Sequence, residues 1–531
     1  MTEQQKLKSL VKKLAKNKFH SNEDFSVLSR NLANQLSMPM PSKFKILKIY
    51  GILKRQKKIK SNQYFEKQLK KRPVRSLSGV AVVSVLTKPW PCPGRCIYCP
   101  SEKGIPKSYL SGEPAVERAK LLKYDPYLQV RKRIETLGKI GHPTDKIELI
   151  VIGGTWSYLP KQYQNWFIKR CFEGANSTNN KKQITNNKLE WLQKINERVK
   201  HRIIGLTLET RPDYITSQEI LRMRKLGCTR VEIGVQVIDD KILKKNKRGH
   251  GVREIIRATK LLKDAGFKIC YHIMPGLPGS TIKKDLVMFK TLFTNPDFRP
   301  DMLKVYPCVV TKGSALYKLW KEKKYKPYSD KELINLLVRM KLSVPPYVRI
   351  NRLIRDIPSW QIKGGSKISN LREVVQAIMK TKGLRCQCIR CREVKDLRLK
   401  VKDLRLIKTE YEASGGKEIF LSFEDPKFDK LAAFLRLRLP GSKVYSLPFK
   451  VLQDAALIRE IHTYGQLIPL NHKSTAVQHL GIGKKLIKKA EEIAGKNGYK
   501  KIAVIAGIGV RQYYQKLGYY LKNTYMVKDL V

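Results

Sequence analysis

Three cysteines lie close together in a short, proline-rich stretch of the chain. Cys92, Cys96 and Cys99 stand in a C-x3-C-x2-C spacing, and Gly94 and the flanking prolines predict a loop rather than a buried helix. Three thiolates on one loop can hold three irons of a cubane cluster and leave the fourth iron open to a small molecule. We therefore expect a 4Fe–4S cluster whose open iron binds S-adenosylmethionine (SAM) and cleaves it to a radical. A structural zinc site and unrelated reduced thiols are the alternatives, but zinc sites usually combine paired C-x2-C units, and no second pair lies nearby in the sequence.

A second cysteine group stands later in the chain. Cys386, Cys388 and Cys391 form a C-x-C-x2-C spacing. Three closely spaced thiols can bind zinc with a fourth ligand from elsewhere, and a second iron–sulfur cluster or free thiols are the alternatives. Ten cysteines in 531 residues are too few for a disulfide scaffold, which favours metal ligation in a reducing cytoplasm. We expect a zinc site that fixes the junction between two domains.

Several polar or flexible residues follow predicted strands and could address a cofactor. Gly153 and Gly154 follow one strand, where glycine lets the backbone approach a ligand closely. Glu209 follows the next strand, Gln236 the one after, and Arg248 stands shortly beyond. A carboxylate, an amide and a guanidinium can bind the ammonium, ribose hydroxyls and carboxylate of SAM. A structural hydrogen-bond network is the alternative interpretation of the same residues.

Six β-branched runs alternate with helical stretches and supply the elements that position these groups. The predicted strands cover residues 80–86, 147–152, 203–208, 230–235, 268–273 and 302–306. Alternating strands and helices predict an α/β fold with a parallel sheet, and six units predict a partial (β/α) barrel. The chemistry of such barrels gathers at the C-terminal ends of the strands, where the residues above stand.

The pattern changes again from about residue 394. Runs 418–423, 457–463 and 501–505 read as strands, and 484–494 and 510–517 as helices. Gln478, Gly481 and Gly483 precede the first of these helices, and backbone N–H groups at a helix start can surround a pyrophosphate. A dinucleotide-binding fold would need G-x-G-x-x-G, which is absent. Tyr514, in the last helix, could bond a thioester or thiolate, or pack at an interface with a wet hydroxyl.

The charge of the chain points to a polyanionic partner. Lys and Arg total 108 against 44 Asp and Glu, a net charge of +64. Phosphate contacts with nucleic acid would use this excess, although a generally lysine-rich composition is the alternative explanation. Residues 1–75 are strongly basic and predict a helical, nucleic-acid-binding arm, in which Phe65 and Leu69 look too scattered for a deep core. No run of about 18 apolar residues appears, so we expect no membrane span.

Taken in order, these motifs resemble the catalytic subunit of Elongator, a family of tRNA-modifying enzymes. The resemblance runs through Tyr109–Pro114, Gly153–Thr155, Glu209–Tyr214, Glu232–Gln236 and Arg511–Tyr519. It implies a radical SAM partial barrel fused to a C-terminal GNAT-type acetyltransferase domain. It also implies formation of 5-carboxymethyluridine at the tRNA wobble position from acetyl-CoA, with the anticodon stem-loop as the bound RNA.

The same resemblance implies the residues that contact acetyl-CoA and the division of the chain. Lys146 and Tyr514 are the implied catalytic residues, and both also contact the acyl donor. The remaining implied contacts are Glu460, Ile461, His462, Thr463, Ile482, Gly483 and Lys484. We expect a basic arm at 1–75, the radical SAM barrel at 76–345, a zinc-binding linker at 346–393 and the GNAT domain at 394–531.

Two other functions compete with this one. A protein lysine acetyltransferase would use the GNAT domain alone and keep a structural iron–sulfur cluster. An RNA-binding assembly factor would keep the folds without turnover. Neither partner subunits nor a homodimer is established by the sequence.

Overall fold

The computed structural model describes residues 1–69, 79–177, 188–394, 403–441, 448–464 and 481–530. Gln478 and residues 70–75 of the basic arm therefore lie outside the described residues. The helices after the arm are α5 (Pro114–Leu121), α6 (Pro126–Lys139), α7 (Lys161–Asn176), α8 (Leu189–Asn196), α9 (Ser217–Lys225), α10 (Asp240–Lys245), α11 (Val252–Asp264), α12 (Ile282–Thr294), α13 (Leu316–Lys321), α14 (Asp330–Leu342), α15 (Leu371–Thr381), α16 (Ile389–Arg392), α17 (Ile482–Lys496) and α18 (Arg511–Gln515). Within the described residues, no helix is both long and apolar enough to cross a membrane.

The N-terminal segment forms a small helical unit with a core of its own. Its helices are α1 (Glu3–Ala15), α2 (Asn22–Gln35), α3 (Lys43–Arg55) and α4 (Gln63–Leu69). Capping boxes begin α1 and α2, at Thr2 and Ser21, and satisfy backbone N–H groups that the helix leaves open. The expectation of no deep core was wrong, because Phe65 and Leu69 are buried against apolar residues of all four helices. These residues are far apart in sequence, so no single stretch displays the core.

A seven-stranded parallel sheet forms the half-barrel that the strand pattern predicts. Its strands are β1 (Ala81–Leu86), β2 (Lys146–Ile152), β3 (Arg202–Thr210), β4 (Arg230–Gln236), β5 (Lys268–Ile273), β6 (Met302–Val305) and β8 (Arg349–Arg352), while β7 (Val310–Thr311) and β9 (Ile362–Gly364) form a separate pair. The strands follow one another in chain order across the sheet, and helices lie in the crossovers between them. The seventh strand, β8, lies in the segment assigned to a linker, so the parallel sheet extends beyond residue 345. The sequence analysis missed β8 because its four residues, Arg-Ile-Asn-Arg, contain no apolar run.

A second, mixed sheet follows. Its strands are β10 (Arg405–Ala413), β11 (Gly416–Asp425), β12 (Lys430–Pro440), β13 (Ala455–Thr463), β14 (Lys501–Val504), β15 (Tyr520–Lys522) and β16 (Tyr525–Asp529), in the order β10-β11-β12-β13-β14-β16-β15. All neighbours are antiparallel except β13 and β14, which run parallel. The sequence analysis missed β12, because Arg436 and Arg438 interrupt its apolar pattern although both are buried.

The two sheets share one interface, which is held by buried ion pairs. Arg459 of β13 donates to both carboxylate oxygens of Asp301, at 2.5 and 2.9 Å. Arg438 donates to Asp264 of the half-barrel at 3.0 Å. Gly507 packs directly on β3, since a Cβ there would stand 1.9 Å from a backbone oxygen of that strand. The second sheet is therefore fixed closely against the first.

Candidate active site

The cysteine-rich loop follows β1 and is fixed by backbone hydrogen bonds to distant segments. Ile97 donates to the carbonyl oxygen of Asn246 at 3.2 Å and accepts from Leu316 at 2.7 Å. Ser101 donates to the carbonyl oxygen of Gly313 at 2.8 Å. These bonds give the loop one conformation at the C-terminal edge of the parallel sheet.

The three thiols of this loop line a cavity of about 200 Å³. Cys92, Cys96 and Cys99 are half-buried, and within the described residues no fourth cysteine reaches the cavity. Burial and, to a smaller extent, the neighbouring Cys96 raise the pKa of the Cys99 thiol to about 12. Such thiols ionise only beside positive charge, which the irons of a cluster supply. The donor set therefore fits a three-cysteine cluster.

The strand-end residues predicted for the cofactor gather at the same cavity. Gly154, Glu209 and Gln236 line it, and the amide oxygen of Gln236 is buried with no hydrogen-bond partner among the described residues. Gly153 lies behind this wall, because a Cβ there would stand 2.1 Å from Thr87 Oγ1. Both glycines have positive φ angles (132° and 103°), which only glycine adopts without strain. The Gln236 oxygen is thus available to a ligand.

Arg248 also lines the cavity, but its guanidinium already serves the protein. One terminal nitrogen lies 3.4 Å from Cys96 Sγ and the other donates to the carbonyl oxygen of Gly234 at 2.5 Å. The remaining Nε–H is buried without a partner in the described structure. Burial opposes the charge, but Tyr98 and Cys96 raise the pKa of Arg248 above its ordinary value. Arg248 fixes the cysteine loop to β4 and retains one donor for a ligand.

A chain of hydrogen bonds crosses the floor of the cavity. The Tyr109 hydroxyl donates to Glu209 at 3.3 Å, and Lys304 donates to the other oxygen of Glu209 at 3.4 Å. Lys304 also donates to Glu232, which lies 2.9 Å from His272 Nε2. Burial opposes the charge of Lys304, but Glu232, Tyr306 and Glu209 raise its pKa above the ordinary value.

Of the residues in this hydrogen-bond chain, the sequence analysis assigned a role only to Glu209. A lysine inside the apolar strand β6 was the one signal that could have marked Lys304. Tyr109 stands in a loop, where no periodic pattern distinguishes it.

A second, much larger cavity of about 1910 Å³ lies between the two sheets. Most residues implied for the acyl donor line it together, namely Lys146, Glu460, Ile461, His462, Thr463, Gly481, Gly483, Lys484 and Tyr514. Ile482 is buried in the first turn of α17 and does not line the cavity. These residues come from both sheets, so the cavity needs both to exist.

The two cavities meet at a common wall. Five residues line both of them: Tyr109, Glu209, Glu232, Tyr306 and Arg355. Arg355 is held there by a hydrogen bond to Glu113 at 3.2 Å and by the Tyr109 ring, whose centroid lies 4.8 Å from the guanidinium carbon. A molecule in the large cavity is therefore separated from the cysteine-lined cavity only by these side chains.

The large cavity contains groups of defined charge. Burial alone would raise the pKa of the Glu460 carboxyl, but Lys268 and Arg436 lower it below its ordinary value. Burial lowers the pKa of His462 to about 4, so its imidazole is neutral at pH 7. Burial also lowers the pKa of Lys146. The cavity therefore combines an ionised carboxylate, a neutral imidazole and a lysine whose pKa is lowered.

Named relatives align with most of the length of this chain. A tRNA uridine(34) acetyltransferase of Methanocaldococcus infernus is 50% identical over 479 residues, which cover 87% of this chain and 88% of that protein. The chain belongs to the tRNA uridine(34) acetyltransferase family. Human Elongator complex protein 3 is 41% identical over 480 residues, covering 87% of this chain and 86% of that protein. The solved structure of Methanocaldococcus infernus Elp3 with an N-terminal deletion (1-46) superposes with a TM-score of 0.74 at 48% identity, covering 85% of this chain and 99% of that one.

Two domain models match this member of the tRNA uridine(34) acetyltransferase family. The Radical SAM superfamily model matches residues 92–290, and the Radical SAM C-terminal domain model matches residues 300–381. Membership of the Radical SAM superfamily implies a 4Fe–4S cluster and SAM, as the cysteine loop predicts. The second match extends past residue 345 and agrees with the position of β8.

The second cysteine group of this chain lies between the two sheets. The thiols of Cys386, Cys388 and Cys391 lie within 4.8 Å of one another. Lys341 Nζ stands 3.4 Å from Cys391 Sγ. A backbone bond from Val394 to Leu431 carries the chain onto the second sheet. Within the described residues, no further cysteine, histidine or carboxylate joins these three thiols.

Proposed function

We propose that this enzyme forms 5-carboxymethyluridine at the wobble position of tRNA from acetyl-CoA. The observation that carries the proposal is the common wall of the two cavities. A radical generated in the cysteine-lined cavity meets an acyl group held in the large one. Two relatives are named tRNA uridine(34) acetyltransferases, which supports tRNA as the substrate and uridine 34 as the modified base.

The small cavity holds the radical source in this proposal. When bound to Cys92, Cys96 and Cys99, the cluster supplies the electron that cleaves SAM to methionine and a 5′-deoxyadenosyl radical. Gly154 and Glu209 approach the amino-acid end of SAM, and Gln236 offers its free amide oxygen to a ribose hydroxyl. Arg248 offers its open Nε–H to the carboxylate. These residues orient SAM with its reacting carbon toward the common wall.

The large cavity holds acetyl-CoA in a GNAT-type domain. The start of α17, with Gly481, Gly483 and Lys484, presents backbone N–H groups and a cation to the pyrophosphate. Lys146 reaches the same cavity from the half-barrel, and Tyr514 closes it from α18. Beyond Ile458, β13 no longer pairs with β14, and Glu460, His462 and Thr463 line the cavity where the pantetheine arm would lie.

The reaction then proceeds in three steps. The radical would take a hydrogen atom from the acetyl methyl and become 5′-deoxyadenosine. The new carbon radical would add to C5 of uridine; one electron would return to the cluster oxidised in the first step, and loss of the C5 proton would restore the ring. Water would cleave the thioester, which releases CoA and leaves the carboxymethyl group. His462 lines the cavity with a neutral imidazole that can accept a hydrogen bond from that water.

The charge of the chain is the feature that binds tRNA in this proposal. The anticodon loop offers unstacked bases that can enter a protein cavity. The helical unit at the N-terminus is basic and would hold the stem by its phosphates, within an arm assigned to residues 1–75. A lysine acetyltransferase would need neither the common wall nor this charge.

The remaining assignments complete the proposal. Cys386, Cys388 and Cys391 bind zinc at the domain junction, with the fourth ligand supplied by a group outside this triad. We retain the barrel at 76–345, extended by β8, the zinc segment up to 393 and the GNAT domain from 394. The enzyme acts in the cytoplasm, and a homodimer is a further state to test by light scattering.

Anaerobic reconstitution with tRNA, acetyl-CoA and SAM tests the function. Nucleoside mass spectrometry should find carboxymethyluridine in the complete mixture and none without SAM. Acetylation of a lysine peptide that continues without SAM, with no modified nucleoside in either mixture, would favour the lysine acetyltransferase instead. SAM cleavage with no carboxymethyluridine would refute the proposed product.

A further inference from the structure

One cation stands on the large-cavity side of the common wall. Lys304 lines the large cavity and not the small one, whereas its two carboxylate partners, Glu209 and Glu232, line both. Its side chain is 10% exposed. An ammonium has three N–H donors, and the two carboxylates engage two of them. The third has no hydrogen-bond partner among the described residues, and the side chain lines the large cavity beside the common wall.

Two other cations near the common wall are held by different contacts. Arg355 donates to Glu113 and to the carbonyl oxygen of Ser108 through the same terminal nitrogen. Arg230 pairs with Glu148 at 2.5 Å and with Glu232 at 3.6 Å. Lys304 is therefore the cation best placed to meet a neutral acceptor that enters from the large cavity.

The geometry of the acyl donor defines that acceptor. In the proposed reaction the acetyl methyl must point across the common wall toward the small cavity. The thioester carbonyl is bonded to this methyl, so its oxygen lies just on the large-cavity side. Placing a reacting group within a fraction of an ångström of its partner requires a fixed contact next to the reacting carbon.

We propose that Lys304 donates its third N–H to the carbonyl oxygen of the acetyl thioester and thereby aims the methyl at the SAM-derived radical. The inference rests on the proposed function and adds a substrate-positioning residue to it. Glu209 and Glu232 hold the ammonium in place, and Tyr109 holds Glu209. The same cation stabilises negative charge on this oxygen when water later attacks the carbonyl.

Deuterium transfer measures the alignment directly. With acetyl-CoA carrying a trideuterated methyl, the wild-type enzyme should form 5′-deoxyadenosine that contains one deuterium. In Lys304→Gln the deuterated fraction of 5′-deoxyadenosine should fall about tenfold or more, because a misplaced methyl no longer quenches the radical. Lys304→Arg keeps a donor and should retain part of the transfer.

Lys263→Gln is the matched control. Lys263 is also a fully buried lysine beside a carboxylate, 3.8 Å from Glu418, but it lines neither cavity. Its removal should lower stability and leave the deuterated fraction unchanged. If Lys304→Gln does not fold, the double variant Glu232→Gln with Lys304→Gln is measured instead. This variant leaves no unpaired carboxylate at position 232.

The outcomes separate this inference from the function it rests on. Wild-type transfer that survives in the Lys304 variants would overturn the role of Lys304 and leave the function intact. Unlabelled 5′-deoxyadenosine from the wild-type enzyme would contradict the proposed hydrogen abstraction itself. An equal loss of transfer in Lys263→Gln would show a general structural effect and would also overturn the positioning role.

Discussion

Replacing Arg459 by methionine should remove the strongest ion pair of the interface between the sheets. The guanidinium donates twice to Asp301, once to Glu418 at 2.9 Å and once to the carbonyl oxygen of Phe267 at 2.6 Å. All three charged side chains are fully buried. Breaking a buried pair by removing one partner costs about 3–5 kcal/mol, because the other charge stays buried. Arg436, 3.8 Å from Asp301, and Lys263 remain nearby, so we expect a loss near about 3 kcal/mol.

The loss should depend on pH in a defined direction. Burial alone would raise the pKa of Asp301, but Arg459 and Lys263 hold it well below its ordinary value. A carboxyl whose folded pKa is depressed contributes stability above its unfolded pKa of about 3.9, and this contribution is lost as the pH falls. Without Arg459, that pKa rises and less of the contribution remains. The difference between Arg459→Met and the wild type should therefore be present in full above about pH 4 and shrink as the pH falls below about 4.

Urea unfolding followed by circular dichroism at several pH values measures both effects. Lys489→Met is the control, because its pair with Glu492 is exposed and screened by solvent, so its loss should leave the stability nearly unchanged. A loss below about 1 kcal/mol for Arg459→Met at pH 7 would refute the argument that this pair holds the interface. A loss independent of pH would refute the assignment of its cause to Asp301.

Four further predictions concern separate parts of the molecule. Cys99→Ala should lose bound iron and SAM cleavage, while Cys171→Ala, in the core, should keep both; iron content per chain decides. Cys388→Ser should lower bound zinc to near zero by elemental analysis, and unchanged zinc would contradict the site. Because burial lowers the pKa of His462 to about 4, stability should fall as the pH drops from about 6.5 to 4, and His462→Phe should flatten that fall in thermal melts. Affinity for tRNA should fall steeply with salt, and removal of residues 1–69 should reduce the slope of log K against log salt; an unchanged slope would exclude the arm from phosphate contacts.

The sequence predicted the half-barrel well, because its strands are continuous apolar runs that end at polar residues. It failed where charge is buried. In β12, Arg436 and Arg438 looked like exposed positions, yet carboxylates of the half-barrel and neighbouring strands neutralise them. The pairs with Asp301 and Asp264 of the half-barrel join residues more than a hundred positions apart, and no local pattern displays them.

The same distinction applies to the site. Cys92, Cys96 and Cys99 are adjacent in sequence, so their spacing alone indicated the cluster. The common wall is assembled from loops and strand ends between Tyr109 and Arg355, and only the fold brings them together. The contacts implied for the acyl donor came from resemblance to a known family, and their shared cavity became visible in the structure.

Strand β13 connects the stability of the interface to the placement of the acyl donor. Its pairing with β12 is regular from Thr463 to Glu460, skips Arg459, and resumes at Ile458. Such a bulge inserts one unpaired residue and redirects the side chains around it. Arg459 thereby reaches Asp301 in the half-barrel, while Glu460 pairs with Arg436 at 2.9 Å and lines the large cavity. A shift of one residue would exchange these faces, which the buried charges on both sides forbid because each needs its partner. The ion pairs thus set the register that places Glu460 at the large cavity, which is the proposed acyl-donor site. We expect Arg459→Met to weaken acetyl-CoA binding as well as stability, and a destabilised variant with wild-type affinity would separate the two.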